Sequence, residues 1–205
     1  MKKEKDQPSI VPEQRTGKDI EVKGSVLLPH ENAAREFFRI AMDRLQSVSG
    51  WARRAGNLSA EFQLTDPKGN IVNRKVSKGD FLRIDIPGPG NASGDGYDWV
   101  EVEETELTAS PDSDRYSFRV RPAQNPLSRR ADIAHFYSGE SSSTFTVVRE
   151  KNVVTAAVYD RNTKPNTEAG TTAGKIRDTL VGAAGLTTFS RIQWENLVNG
   201  ILKTE

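Results

Sequence analysis

The chain has 205 residues, enough for one sizeable domain that buries roughly 70% of its unfolded surface without covalent staples. Its 29 basic and 28 acidic residues nearly cancel, which removes the broad field that a nucleic-acid or anionic-membrane partner requires, and no apolar run is long enough to span a bilayer. Cysteine is absent, so disulfides, thiolate catalysis and cysteine-ligated metal are excluded.

Residues 1–18 are polar and aperiodic and read as a disordered tail ahead of a single α+β domain over 19–205. Met1 to Asp6 carries charges and no apolar run, so no secretory leader is read there and a cytoplasmic chain is expected. Ile20 to Leu28 alternates as a strand, which Pro29 ends. From Asn32 the period changes: Ala34, Phe37, Phe38, Ala41 and Leu45 fall on one face of a helix of about four turns. His30, just before it, reads as a polar capping residue, and Trp51 follows in a short helical piece.

The middle of the chain is β. Ala60, Phe62 and Leu64 share one parity, Asp66 to Asn70 is a turn, and Ile71 to Val76 is expected to return as a strand. A turn at Lys78-Gly79-Asp80 leads into a strand whose Leu82, Ile84 and Ile86 share a face. Residues 87–96, rich in glycine, form a loop; the lysine and Ser/Thr of a nucleotide-binding loop are missing, and the loop reads as a connection. Strands over 97–107 and 115–121 carry glutamates on one outer face and arginines on the other, and are predicted to pair antiparallel. Residues 122–142 are a second loop insertion, around Ile133, Ala134, Phe136 and Tyr137. Thr144 to Arg149 and Val153 to Arg161 form a hairpin closed at Glu150-Lys151-Asn152. After Pro165 the pattern is helical, with one stripe at Ile176, Leu180, Val181 and Ala184 and another at Trp194, Leu197, Val198, Ile201 and Leu202. Gly182 and Gly185 either separate two helices or mark a close contact within one.

Neither histidine sits in a zinc spacing, no catalytic motif stands out, and neither metal nor cofactor is expected. His135 lies in a loop among aromatics, which makes His135, Phe136 and Tyr137 candidate ligand contacts. Tyr159 and Arg161 share parity near the end of the last strand and are added to that set with Trp194.

The stretch Ile20-Glu21-Val22-Lys23-Gly24-Ser25-Val26-Leu27-Leu28-Pro29, the helix bearing Phe37 and Phe38, and the Trp51 that follows resemble the start of a START/Bet v 1-like helix-grip protein. The resemblance implies a curved antiparallel sheet, an N-terminal helix and a long C-terminal helical region packed on one face. It also implies a cavity between sheet and last helix for a hydrophobic ligand or a partner protein. A non-catalytic binding module is the reading this favours. The alternatives are an assembly subunit of a homo-oligomer and a hydrolase- or cyclase-type enzyme in the same cavity.

Overall fold

A computed structural model of the chain describes residues 8–56, 60–86, 90–166 and 182–204, apart from the side chains of 182–184 and 186. The strands are β1 (Lys18–Leu27), β2 (Glu61–Thr65), β3 (Phe81–Asp85), β4 (Asp98–Ala109), β5 (Ser113–Pro122), β6 (Ser142–Glu150) and β7 (Val153–Thr163). They form one seven-stranded sheet in the order β1-β7-β6-β5-β4-β3-β2, every pairing antiparallel. Register shifts at Lys18/Ile20 and Val102/Glu104 are bulges, which bend a strand and increase its twist. Helices α1 (Glu31–Gln46) and α2 (Trp51–Ala55) follow β1, and α3 (Gly182–Leu202) closes the chain. All three pack on one face of the sheet, the arrangement of a helix-grip fold. No described helix is long and apolar enough to cross a membrane.

Period and burial agree closely in α1. Its buried residues are Ala34, Phe37, Phe38, Ala41 and Leu45, and the Nδ1 atom of His30 caps it by accepting the Ala33 N–H at 3.1 Å. From the sheet, Phe62, Leu82, Val102, Phe118, Phe145 and Val158 meet the helices in one continuous core. Trp51 is fully buried there, with ring centroids 4.8 Å from Phe145 and 5.2 Å from Phe62, and its Nε1–H donates to the Leu45 carbonyl. The predicted charged hairpin is β4–β5: Glu103 accepts from Arg121 Nε at 2.6 Å and Arg119 Nε at 2.9 Å, and Glu104 pairs with Arg119 at 3.1 Å.

The C-terminal half of α3 is held closely. Leu197, Val198 and Ile201 are buried, a Cβ at Gly200 would collide with the Arg54 carbonyl, and one at Gly24 would lie 2.9 Å from Val198 Cγ1. Arg44 Nη1 donates to the Ile201 carbonyl at 2.9 Å and the Lys203 carbonyl at 2.6 Å, satisfying groups that a helix end leaves unbonded. Gly185 does not interrupt the helix, which is continuous over Gly182–Leu202. Of the other predicted stripe, Ile176, Leu180 and Val181, with the Ala184 side chain, lie outside the described residues.

Two expectations change. Ile71 to Val76 is not a strand: one bridge links Ile71 to Thr65, and β2 instead pairs along its length with β3. Arg74 serves the loop by clasping the Asp80 carboxylate with two 2.6 Å bonds, and Lys75 pairs with Asp43 of α1 at 2.9 Å. The predicted tail over 1–18 is ordered in its described part. Ile10 and Val11 are buried against the outer face of the sheet, with Val11 packed on Ala157 and Tyr159. Arg119 Nη1 donates to the Ile10 carbonyl at 2.6 Å, while Asn162 Oδ1 accepts the Arg15 N–H at 2.7 Å. Two apolar residues and a few backbone bonds suffice to fasten this strap.

Candidate functional site

The core is not filled at one end. Between the inner face of the sheet and the N-terminal half of α3 lies a cavity of about 50 Å³. Phe62, Ile84, Phe145 and Phe189 supply apolar walls, and Trp194 stands across it with its ring centroid 5.1 Å from Phe145. His135, Phe136 and Tyr137 come from the 122–142 segment, which is bonded down rather than loose. Ala134 donates to the Ala123 carbonyl at 3.0 Å and accepts from Trp99 N at 2.7 Å, while Asn166 Nδ2 donates to the His135 carbonyl at 3.0 Å.

Of the expected ligand contacts, His135, Phe136, Tyr137 and Trp194 meet at this cavity. Tyr159 and Arg161 do not. They point to the opposite face, where Tyr159 packs on Val11, and Arg161 lies 5.4 Å over the Tyr159 ring and pairs with Glu21 at 3.3 Å. Strand alternation explains this: Val154, Ala156 and Val158 face the core, so Asp160 follows them inward and its neighbours turn out. Asp160 is thus the site residue that reading the segment without anchoring its parity passes over. Ser190 and Gln193 on α3 also line the cavity and were not singled out from the sequence.

His135, Tyr137, Asp160, Ser190 and Gln193 are all buried. His135 Nδ1 accepts the Tyr137 backbone N–H at 2.9 Å, which puts the proton of the neutral ring on Nε2; burial pushes its pKa down to about 3. The Tyr137 and Ser190 hydroxyls share a 3.2 Å bond, and burial raises the phenol's pKa. Asp160 is 1% exposed, and burial pushes its carboxyl up to about 6. Its Oδ2 accepts from Trp194 Nε1 at 2.8 Å, whereas Oδ1 has no hydrogen-bond partner. The Ser143 side chain lies close enough to favour the anion but not at bonding geometry. No described group of His, Asp or Glu could hold a metal ion.

A second buried acid sits beneath the 133–137 segment. Asp98 accepts from Asn91 Nδ2 at 2.8 Å and from the Phe136 backbone, yet burial dominates and pushes its pKa up to about 7. An acid whose folded pKa is raised favours the fold at low pH, and that contribution is lost as pH climbs through the folded value. Asp98→Asn is therefore expected to gain on the wild type by about 2–3 kcal/mol between pH 5 and pH 8, at about 1.4 kcal/mol per pH unit below the folded pKa. Comparing variant with wild type cancels the opposite contribution of His135. Urea denaturation at pH 5, 6, 7 and 8 measures it, and parallel stability profiles would contradict the assignment.

No protein-family model matches the chain, and no curated protein matches it. Among solved structures it is similar to a hypothetical protein from Helicobacter pylori, at 12% identity and a TM-score of 0.46 over 96% of this chain and 98% of that one. It is similar to truncated norcoclaurine synthase from Thalictrum flavum, at 9% identity and a TM-score of 0.36 over 95% and 100% of the two chains. A START superfamily protein from Mycobacterium smegmatis matches at 13% identity and a TM-score of 0.30, over 84% of this chain and 97% of that one. The chain's structural matches thus include Bet v 1-like and START proteins, all at low identity.

Proposed function

We propose that the chain is a non-catalytic binding module, holding a small, mostly apolar ligand between the sheet and the N-terminal half of α3, in contact with His135, Phe136, Tyr137 and Trp194. The observation that carries this reading is the unfilled, aromatic-walled space at one end of an otherwise close-packed core. At about 50 Å³ the space is far smaller than the roughly 300–1,000 Å³ of a pocket for a drug-sized ligand. The ligand is accordingly small, or its body is admitted by displacement of Phe189. Its half-buried position on α3 makes that displacement less costly than opening the sheet.

The three tryptophans give a direct test. The indole N–H of Trp51 donates to Leu45, that of Trp99 to Gly94 and that of Trp194 to Asp160, so three distinct resonances are expected in a proton–nitrogen NMR spectrum. Titration with toluene should shift the Trp194 resonance saturably and leave the Trp51 and Trp99 resonances in place. Uniform small shifts, or none, would overturn the reading.

A further inference from the structure

Two residues that line the cavity each carry an unsatisfied polar atom, and the two atoms are of opposite sense. Asp160 Oδ1 is an acceptor without a donor, and Gln193 Nε2 is a donor without an acceptor. Both residues line the cavity and both are more than nine-tenths buried, at 1% and 4% exposure. Buried polar atoms left unpaired are costly, so such a pair in one space favours any occupant that bonds to both. The remaining atoms of each side chain are committed: Asp160 Oδ2 accepts from Trp194, and Gln193 Oε1 accepts the Ala60 N–H at 2.9 Å. These bonds leave one polar atom of each side chain for an occupant.

We infer that the cavity selects a ligand with a hydroxyl head on an apolar body, the hydroxyl donating to Asp160 Oδ1 and accepting from Gln193 Nε2. This rests on the cavity reading above and specifies its chemistry. A hydroxyl is the smallest group that both donates and accepts. A carboxylate head meets the Asp160 charge in a desolvated space and is rejected. A carbonyl head can accept from Gln193 but leaves Asp160 unpaired. An ammonium head satisfies Asp160 but sets its own donors against that of Gln193.

The test uses the full chain, the Trp194 indole resonance and a matched set: toluene, benzyl alcohol, acetophenone, benzylamine and benzoate. At pH 8 benzyl alcohol is expected to bind about tenfold more tightly than acetophenone or toluene, and benzoate more weakly than any of these. Gln193→Glu keeps an oxygen for the Ala60 N–H and turns the free donor into an acceptor, so the ratio of alcohol to toluene affinity should fall about tenfold. Asp160→Asn keeps an oxygen for Trp194 and offers its amide N–H to the cavity, so the preference should move from benzyl alcohol to acetophenone. The Trp51 and Trp99 indole resonances report whether each variant is folded, and Asp160→Asn carries the test if Gln193→Glu is not. Toluene binding with no preference for the alcohol overturns the head-group assignment alone. A preference for benzylamine over the alcohol overturns it in favour of charge pairing. Failure of every ligand to bind overturns both this inference and the cavity reading beneath it.

Discussion

Trp51→Ala is expected to lower the unfolding free energy by about 3–5 kcal/mol, the range for deleting a large aromatic from a packed core. Trp51 is wholly excluded from solvent and touches the rings of Phe62, Phe118 and Phe145, three residues from three different strands. The side chain joins the turn after α1 to the middle of the sheet. Its indole N–H bond to Leu45 is lost as well, leaving that carbonyl unpaired in the core. Chemical denaturation measures the effect. A loss below about 1 kcal/mol would mean that the site relaxes around the cavity, contrary to the packing described.

Arg149→Met is expected to cost about 3 kcal/mol, at the lower end of what breaking a buried ion pair removes. The Arg149 side chain is fully buried at the end of β6, on the same inward parity as Phe145 and Val147. Nε donates to Asp114 Oδ2 at 2.6 Å, Nη1 to the Lys151 carbonyl at 3.0 Å and Nη2 to the Pro111 carbonyl at 3.3 Å. One guanidinium thus ties the β4–β5 turn to the β6–β7 turn. Methionine replaces much of the volume and none of the donors, stranding Asp114 with only the longer Arg35 contact at 3.8 Å. Substituting Asp114 by asparagine in the same chain removes the stranded charge and should restore part of the loss, which a double-mutant cycle reads out. Equal stability of the wild type and Arg149→Met would contradict the role given to the pair.

Much of the fold is legible in the sequence wherever period and burial coincide. The α1 stripe, the parity of Phe62 and Leu64, the opposite charges of β4 and β5 and the β6–β7 hairpin are all local patterns that the structure keeps. Ile71 to Val76 is misread because alternation says that a segment could pair, not that it does: the outer edge of β2 is open, yet after the Ile71–Thr65 bridge the chain leaves it, Arg74 binding Asp80 and the Val76 N–H bonding to the Gln46 carbonyl. The strap is missed because Ile10 and Val11 are an apolar pair too short to show any period, and their partners Ala157 and Tyr159 lie far along the chain. Arg149 shows the same difficulty for charge: three acceptors make its burial tolerable, and two of them, Asp114 and the Pro111 carbonyl, lie more than thirty residues away. At the candidate site, the loop aromatics are legible as a cluster and Trp194 as part of a stripe. Asp160 was also within reach, because it continues the parity of Val154, Ala156 and Val158. Gln193 and Ser190 lie four residues before Leu197 and Trp194 on the same helical stripe, but as polar residues they do not show in an apolar pattern.

The close seating of α3 at Gly200 and Gly24 has a mechanical consequence. With its C-terminal turns fixed against the α2 carbonyl, against β1 and under the Arg44 guanidinium, the helix sets the height at which Trp194 and Gln193 stand over the sheet. That part of the cavity wall is therefore placed by contacts made outside the cavity, and a side chain introduced at Gly200 or Gly24 would be felt at Asp160 without touching it.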